Sequence, residues 1–492
     1  MKIIKYLAVI LALIVGITQC KLPDNVNPKR ATEVPVETLF TNAQIALYDH
    51  IDDVNVNRNT IRLYVQYWNE TTYFDESRYL MQDRSIPDNY VTEFYRDALM
   101  DFKRAKEITL EDDLGDPEGQ KNRLAILDIL MAQAFLTVVD GFGDLPYTDA
   151  LQLNDVVQPT YTDAAEIYSA EINNLKTALT SLGSGSNWGG ADVMYGGDAG
   201  LWKKYGASLL LRVGMRLADV NLSLSKEAVQ AAVNAGVYTS EDEAGFLHYV
   251  GITPHVNAIY TAFVVDNRKD YLPTNTIIDM MANQEGMVYD LGGVDPRIDD
   301  YFTEQPEGGY LGAVAGLDGA QSYQLFSHFQ DVFFEPTFPA MIIDYIEVEF
   351  FLAEAAQRGG YAVSGTAEEH YNNAITASIL LWNGTQDEVD AYLALPGVAY
   401  NSADDKWKEC IGVQKWLALY NRGIEAWAEW KRLDYPVLNV PEGMVYGDIP
   451  LRFVYPYNEV LQNRANYEAA SAKIGGDLVS TPLFWDLYQP IN

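Results

Sequence analysis

The chain is best supplied with residues for holding a neutral, hydroxyl-rich ligand. Its 12% aromatic content includes 33 Tyr and 9 Trp. A Tyr or Trp ring joins an apolar face to a polar tip. Such a face can stack on the C–H face of a sugar while Asn, Asp, Gln or Arg bond its hydroxyls. Loops bring these residue types together three times. Trp68, Tyr73, Tyr79 and Arg84 sit in or beside the stretch Glu70–Pro87, with Asn69 and Asp75 as polar partners. Trp188 and Tyr195 stand with Asn187 in the Gly/Ser-rich stretch Gly183–Gly197. Tyr301, Tyr310, Tyr323 and Phe326 stand with Asp318 and Gln321 in a segment without periodicity. The expected ligand-binding residues are Trp68, Tyr73, Tyr79, Arg84, Trp188, Tyr301 and Tyr323. The competing reading of each cluster is a set of rings packed onto the core.

Catalytic chemistry finds no foothold. The sequence has no Gly-x-Ser-x-Gly elbow, His-Glu-x-x-His pair or P-loop. Gly141-Phe142-Gly143 follows a helical pattern and lacks a third glycine, so it is not a dinucleotide fingerprint. Two cysteines, Cys20 and Cys410, and five scattered histidines offer no zinc spacing. The acidic run Leu110–Asp116 (Glu111, Asp112, Asp113 and Asp116, with Gly115) lacks the EF-hand register and reads as a solvated turn. No cofactor or metal is expected. The enzymatic alternative is an α-helical glycosidase, which needs only two carboxylates across a cleft. A third reading is a helical adaptor that binds only proteins. The net charge of -35 argues against nucleic acid, whose phosphates require a basic surface, and repels anionic ligands and membranes.

The elements that must position these loops are helical. The stretch Gln414–Pro436 is central: Trp416, Tyr420, Gly423, Trp427 and Trp430 recur at steps of four and three, on one helix face. A stripe of this kind packs as core. Gly423 is costly inside a helix, which points to the close approach of another backbone. Arg422, Glu425, Glu429, Lys431 and Arg432 fall between the apolar positions, spaced to pair three or four apart. Further helices are expected over Val36–Asn55, Thr60–Asn69, Asn89–Leu110, Lys121–Val139, Tyr161–Leu182, Ala199–Asn221, Ala340–Arg358, Thr366–Trp382, Gln386–Leu395 and Ala403–Leu433, with a short tail, Phe453–Ala472, closing the fold. They fall into adjacent pairs without a strict sequence period. Tyr238–Pro339 is irregular, and loops this long tend to carry function.

The N-terminus reads as an address. Lys2 and Lys5 precede an apolar run, Tyr6–Ile17, too short to span a bilayer. Residues 1–19 are expected to be a signal peptide. Cys20 follows Ile17-Thr18-Gln19 in a context that resembles a bacterial lipobox, with Gln19 where a small residue is usual. Acylation of Cys20 would anchor the chain, and residues 20–35, rich in proline and polar groups, would serve as a tether. Residues 36–492 are expected to form one domain, since no Pro/Gly-rich linker divides them.

Several stretches together resemble the SusD/RagB family of outer-membrane lipoproteins, its SusD-like second subgroup most closely. They are Ala125–Tyr147 with its Phe-Gly-Asp-x-Pro turn, Asp198–Arg216, Ile343–Ala356, Gln414–Pro436 and Arg452–Asn463. The resemblance implies an all-α fold with a tetratricopeptide-like helical-repeat core and a long irregular, loop-rich region packed on it. It implies a non-enzymatic, surface-exposed lipoprotein of the outer membrane. Such a protein binds glycans, or in some members peptides, and passes them to a SusC-like TonB-dependent transporter. It also raises the standing of the loop after the early helices as a ligand site, and gives Glu354, within Ala353-Glu354-Ala355, a structural role.

Overall fold

The computed structural model describes residues 34–487 apart from 82–83, 112–114, 153–154, 285–286, 288, 318–321, 404–405 and 446–448. The expected leader, Cys20 and most of the expected tether lie outside the described residues, as do Asp112, Asp113, Asp318 and Gln321.

Helix α1 (Val36–Asp52) buries Phe40, Ala43, Gln44 and Leu47 along one stripe, and packs on α2 (Met100–Glu111). Then come pairs of neighbours in sequence, packed side by side. The 26-residue α3 (Pro117–Phe142) lies along α4 (Ala164–Ser181), and α5 (Ala199–Arg216) along α6 (Leu222–Ala235). Next, α7 (Tyr345–Arg358) lies along α8 (Ala367–Leu381). A short α9 (Gln386–Leu393) leads to α10 (Lys406–Ala418) on α11 (Gly423–Leu433), and α12 (Arg464–Lys473) follows near the C-terminus. This is the tetratricopeptide-like pairing the sequence implied. Side chains cap the starts. Asp198 accepts from the amides of Gly200 and Leu201, and Thr366 and Thr385 form reciprocal capping boxes with Glu369 and Glu388.

Four expectations about elements need correction. Ala403–Leu433 is two helices, because Asn421 adopts φ 70° and turns the chain between them. Only Ile61–Tyr64 of the expected Thr60–Asn69 helix is helical. Gln66, at φ 56°, ends it, and Trp68–Glu70 becomes strand β1, paired with β5 (Tyr271–Pro273). Ala340–Ile343 is likewise strand β6, paired with β4 (Gly245–Leu247), ahead of α7. Helix α6 was not expected at all; Asn221 caps it through the Leu224 amide. In between, β2 (Leu145–Pro146) pairs with β3 (Tyr161–Thr162).

Gly423 opens α11 where that helix meets the 61–64 turn. A Cβ there would lie 2.8 Å from the Arg62 backbone nitrogen, so the close backbone approach is real. Gly423→Ala is expected to cost about 1–3 kcal/mol by overpacking, measured as a shift in denaturant midpoint with an unchanged slope.

The aromatic stripe is core: Trp416, Tyr420, Trp427 and Trp430 are all buried. The charged residues beside it are buried too, and most of their partners are distant in sequence. Arg422 binds Asp344 (2.8 Å) and Glu347; Arg212 forks onto Glu347 (2.6 and 2.8 Å). Arg216 joins Asp140, Glu425 and Glu429, and Lys415 reaches Glu429 at 2.9 Å. Arg432 takes both Glu354 oxygens (2.6 and 2.5 Å) and Glu429 (2.6 Å), the one local pair. Burial opposes ionisation of Glu429, but Arg432, Lys415 and Arg216 outweigh it and hold its carboxyl well below the ordinary range. Glu354 therefore has the structural role assigned to it, tying α7 to α11.

Candidate functional site

The structure divides the expected ligand residues. Trp68 is 4% exposed, packed among Phe329, Tyr271 and Phe263 with ring centroids 4.8–5.9 Å away. Tyr79 is fully buried and accepts a hydrogen bond from Gln66 Nε2 at 2.9 Å. Trp188 lies flat on Phe40 at 4.2 Å and donates to the Arg123 carbonyl. Tyr301 stacks on Tyr420 at 4.4 Å and donates to the Leu417 carbonyl. The expectation that these four present ring faces to a ligand is corrected: each sits between an irregular stretch and the helices, where apolar area is best removed from water. Tyr195 is half-buried, its hydroxyl against Tyr238 and the Glu243 carbonyl.

Tyr73 stands out of the surface, 63% exposed. Its φ is 62°, a conformation a bulky residue rarely takes and one that clusters at ligand clamps. Of the ten non-glycine residues with positive φ among the described residues, three (Tyr73, Tyr79 and Ser85) fall within this one loop. The loop is pinned at both ends. The Thr71 amide donates to the Asp270 carbonyl at 2.7 Å. At the far side the Arg84 guanidinium lies 5.9 Å from the Tyr73 ring centre and pairs with buried Glu76.

Two further residues, missed by the sequence reading, complete the surface. Phe74 is half-buried, with the Arg78 guanidinium 4.3 Å over its ring. Arg78 Nε donates to the Gly316 carbonyl (2.8 Å), and its own carbonyl accepts from the Val445 amide (3.1 Å). Gly443 packs so tightly that a Cβ would meet the guanidinium at 2.9 Å. The Gly316 amide donates to Asn69 Oδ1 (3.0 Å), and the Glu442 amide to the Ala315 carbonyl (2.9 Å). Residues 69–81, 314–317 and 441–445 are thus joined, and Val314 and Val445 are exposed within them. Loop composition hinted at Phe74 and Arg78; nothing in the sequence signalled the 441–445 turn.

Tyr323 is half-buried, stacked on His328 at 4.1 Å, with Leu325 exposed beside it. Tyr310 and Phe326 are also half-buried, and Tyr310 binds Asp299.

Clefts lie elsewhere. One of about 820 Å³ is lined by Asp49, His50, Arg58, Asp97, Asp266 and Arg268. Much of its charge is already paired within the protein, Arg58 with Asp53 and Glu93, and Arg268 with Asp270. Two others, each about 470 Å³, meet at Tyr455; Tyr95 and Tyr161 line one, Tyr457 and Tyr467 the other.

A family model described as SusD-like, "starch-binding associating with outer membrane", matches residues 28–456. The chain belongs to the SusD-like family. No curated protein matches it. Among solved structures, it is similar to a chitin-binding protein at 24% identity, over 92% of this chain and 100% of that one, with a TM-score of 0.77. A chitin-binding SusD homologue from Flavobacterium johnsoniae gives 21% identity, 92% and 99% coverage and a TM-score of 0.77. A SusD homologue from Bacteroides thetaiotaomicron gives 22%, 93% and 100%, and 0.76. These likenesses establish the SusD-like fold along nearly the whole chain. SusD-like proteins are outer-membrane-associated binding proteins rather than enzymes, and the family is linked to carbohydrate.

Proposed function

We propose that this protein is a cell-surface lipoprotein that captures glycans and delivers them to a SusC-like TonB-dependent transporter. In this reading residues 1–19 are a leader, Cys20 carries the lipid, 20–35 are the tether and 36–492 form one ligand-binding domain. The ligand platform is the surface around Tyr73, with Phe74, Arg78 and Arg84, and Tyr323 in the neighbouring irregular segment adds a ring. The observation that carries it is the Tyr73 ring, left in water by a strained backbone and flanked by Arg84. An apolar ring face with a guanidinium beside it suits a sugar ring and its hydroxyls. The family description, and similar structures described as chitin-binding, support a glycan.

The test is retention of the purified protein in gels carrying starch or chitin oligosaccharides, beside a peptide pull-down. Tyr73→Ala is expected to weaken retention about tenfold or more, on the order of 1.4 kcal/mol. Its melting temperature should stay within a degree or two, because an exposed side chain contributes little to stability. Undiminished glycan retention would remove Tyr73 from the site. Retention of peptide alone would move the ligand class to peptides.

A further inference from the structure

On either side of Tyr73 in the chain, two acids are shut away from water. Glu70, the last residue of β1, is 2% exposed, and Glu76, in the turn after Tyr73, is 1% exposed. Ser77, the residue after Glu76, ties the Glu70 carboxyl to the turn that carries Glu76. The Glu70 carboxyl meets both the amide (3.3 Å) and the hydroxyl (3.4 Å) of Ser77, and that hydroxyl accepts from the Glu70 amide at 2.9 Å. Glu76 spends one oxygen on Arg84, while its other, Oε2, is buried with no hydrogen-bond donor. Two buried carboxyls thus share one cation. The other charged or titratable groups facing them are engaged elsewhere or point outward. From the β5 side, Arg268 pairs with Asp270 at 2.5 Å and the Tyr271 hydroxyl donates to the Val54 carbonyl. On the loop itself, Asp75 is exposed.

We infer that Glu70 and Glu76 form a proton-sharing latch that holds the Tyr73 platform in its binding conformation, with Glu76 as the residue that positions Arg84. A proton on Glu70 supplies the donor that Glu76 Oε2 lacks and removes one of two buried negative charges. This inference rests on the Tyr73 loop being the ligand platform.

The latch has a pH sign. Burial first, then Glu76, raises the Glu70 carboxyl to about 9. Below the ordinary carboxylate range Glu70 is protonated whether the loop is packed or free, so its titration takes nothing from the packing there. Glu76, itself raised by burial, must keep its charge to hold Arg84, so the latch is strongest above the range where Glu76 is protonated. As pH rises toward 9 the free loop ionises Glu70 and the packed loop does not, so packing weakens steadily across that window. Glutamine at position 70 imitates the protonated acid at every pH.

The experiment compares hydrogen-exchange protection factors of residues 71–79 in the wild-type protein and Glu70→Gln between pH 5 and 9, with glycan retention measured alongside. Wild-type protection is expected to fall about tenfold or more over that range, and retention with it, while Glu70→Gln keeps both nearly level. Flat wild-type protection, or a Glu70→Gln profile that tracks the wild type, overturns the latch. Should Glu70→Gln fail to fold, the wild type alone decides. The two readings fail separately: intact glycan retention in Tyr73→Ala sinks the platform and leaves the exchange data standing.

Discussion

Arg432→Met should unfold the protein more readily than any surface change, at a cost of about 3–5 kcal/mol. Arg432 is 3% exposed and its guanidinium makes four charged contacts, two to Glu354 and two to Glu429. Removing it leaves carboxylates in the interior between α7 and α11 with their chief counter-charge gone. Glu354 retains Arg358 at 2.7 Å and Glu429 retains Lys415, so the loss falls short of stranding bare charges. The measurement is denaturant unfolding of the single variant beside the pair Arg432→Met with Glu354→Met. The pair is expected to be the more stable of the two, because two apolar side chains of similar length replace a charge and its partner together. A single-variant loss under about 1 kcal/mol would mean that water reaches this network, as it does for exposed ion pairs.

Trp68→Ala is the second large effect, and it separates core from site. Its indole is packed against Phe263, Tyr271 and Phe329, with the Arg62 guanidinium 5.4 Å from the ring. Truncation should cost about 3–5 kcal/mol, as for other buried large aromatics, and lower the denaturant midpoint without changing the slope. Glycan retention measured well below that midpoint is expected to stay within about twofold of wild type. The contrast with Tyr73→Ala, which should do the reverse, is the sharpest check on which ring faces outward. Loss of retention from a still-folded Trp68→Ala would return the indole to the ligand site.

Periodicity made most of the helices legible, since a 3.6-residue stripe survives in any context. Gly423 could be read as a contact point because its cost inside a helix demanded a reason. The failures were local and physical. Thr60–Asn69 has helical spacing, yet its second half is taken by pairing with Tyr271–Pro273, two hundred residues away. Long-range pairing leaves no trace in a short window. Asn421 looked like one polar residue in a long helix, but its left-handed backbone splits that helix. For the candidate site, residue type drew attention to the loop and failed to say which rings turn outward. Trp68, Tyr73 and Tyr79 lie within twelve positions, and only the middle one is in water. Trp68 is drawn in by the apolar rings of the 263–329 segment and Tyr79 by the Gln66 side chain. Neither partner is near in sequence in a way that periodicity reports.

Arg78 grips a ring in its own loop, a carbonyl at Gly316 and, through its backbone, Val445. Three arms far apart in sequence therefore meet at one residue, outside the helical scaffold. Change arising in any one arm can retune the others' outline while the scaffold stays untouched. The outline of this surface is therefore set by a few turns and not by the helices that carry them.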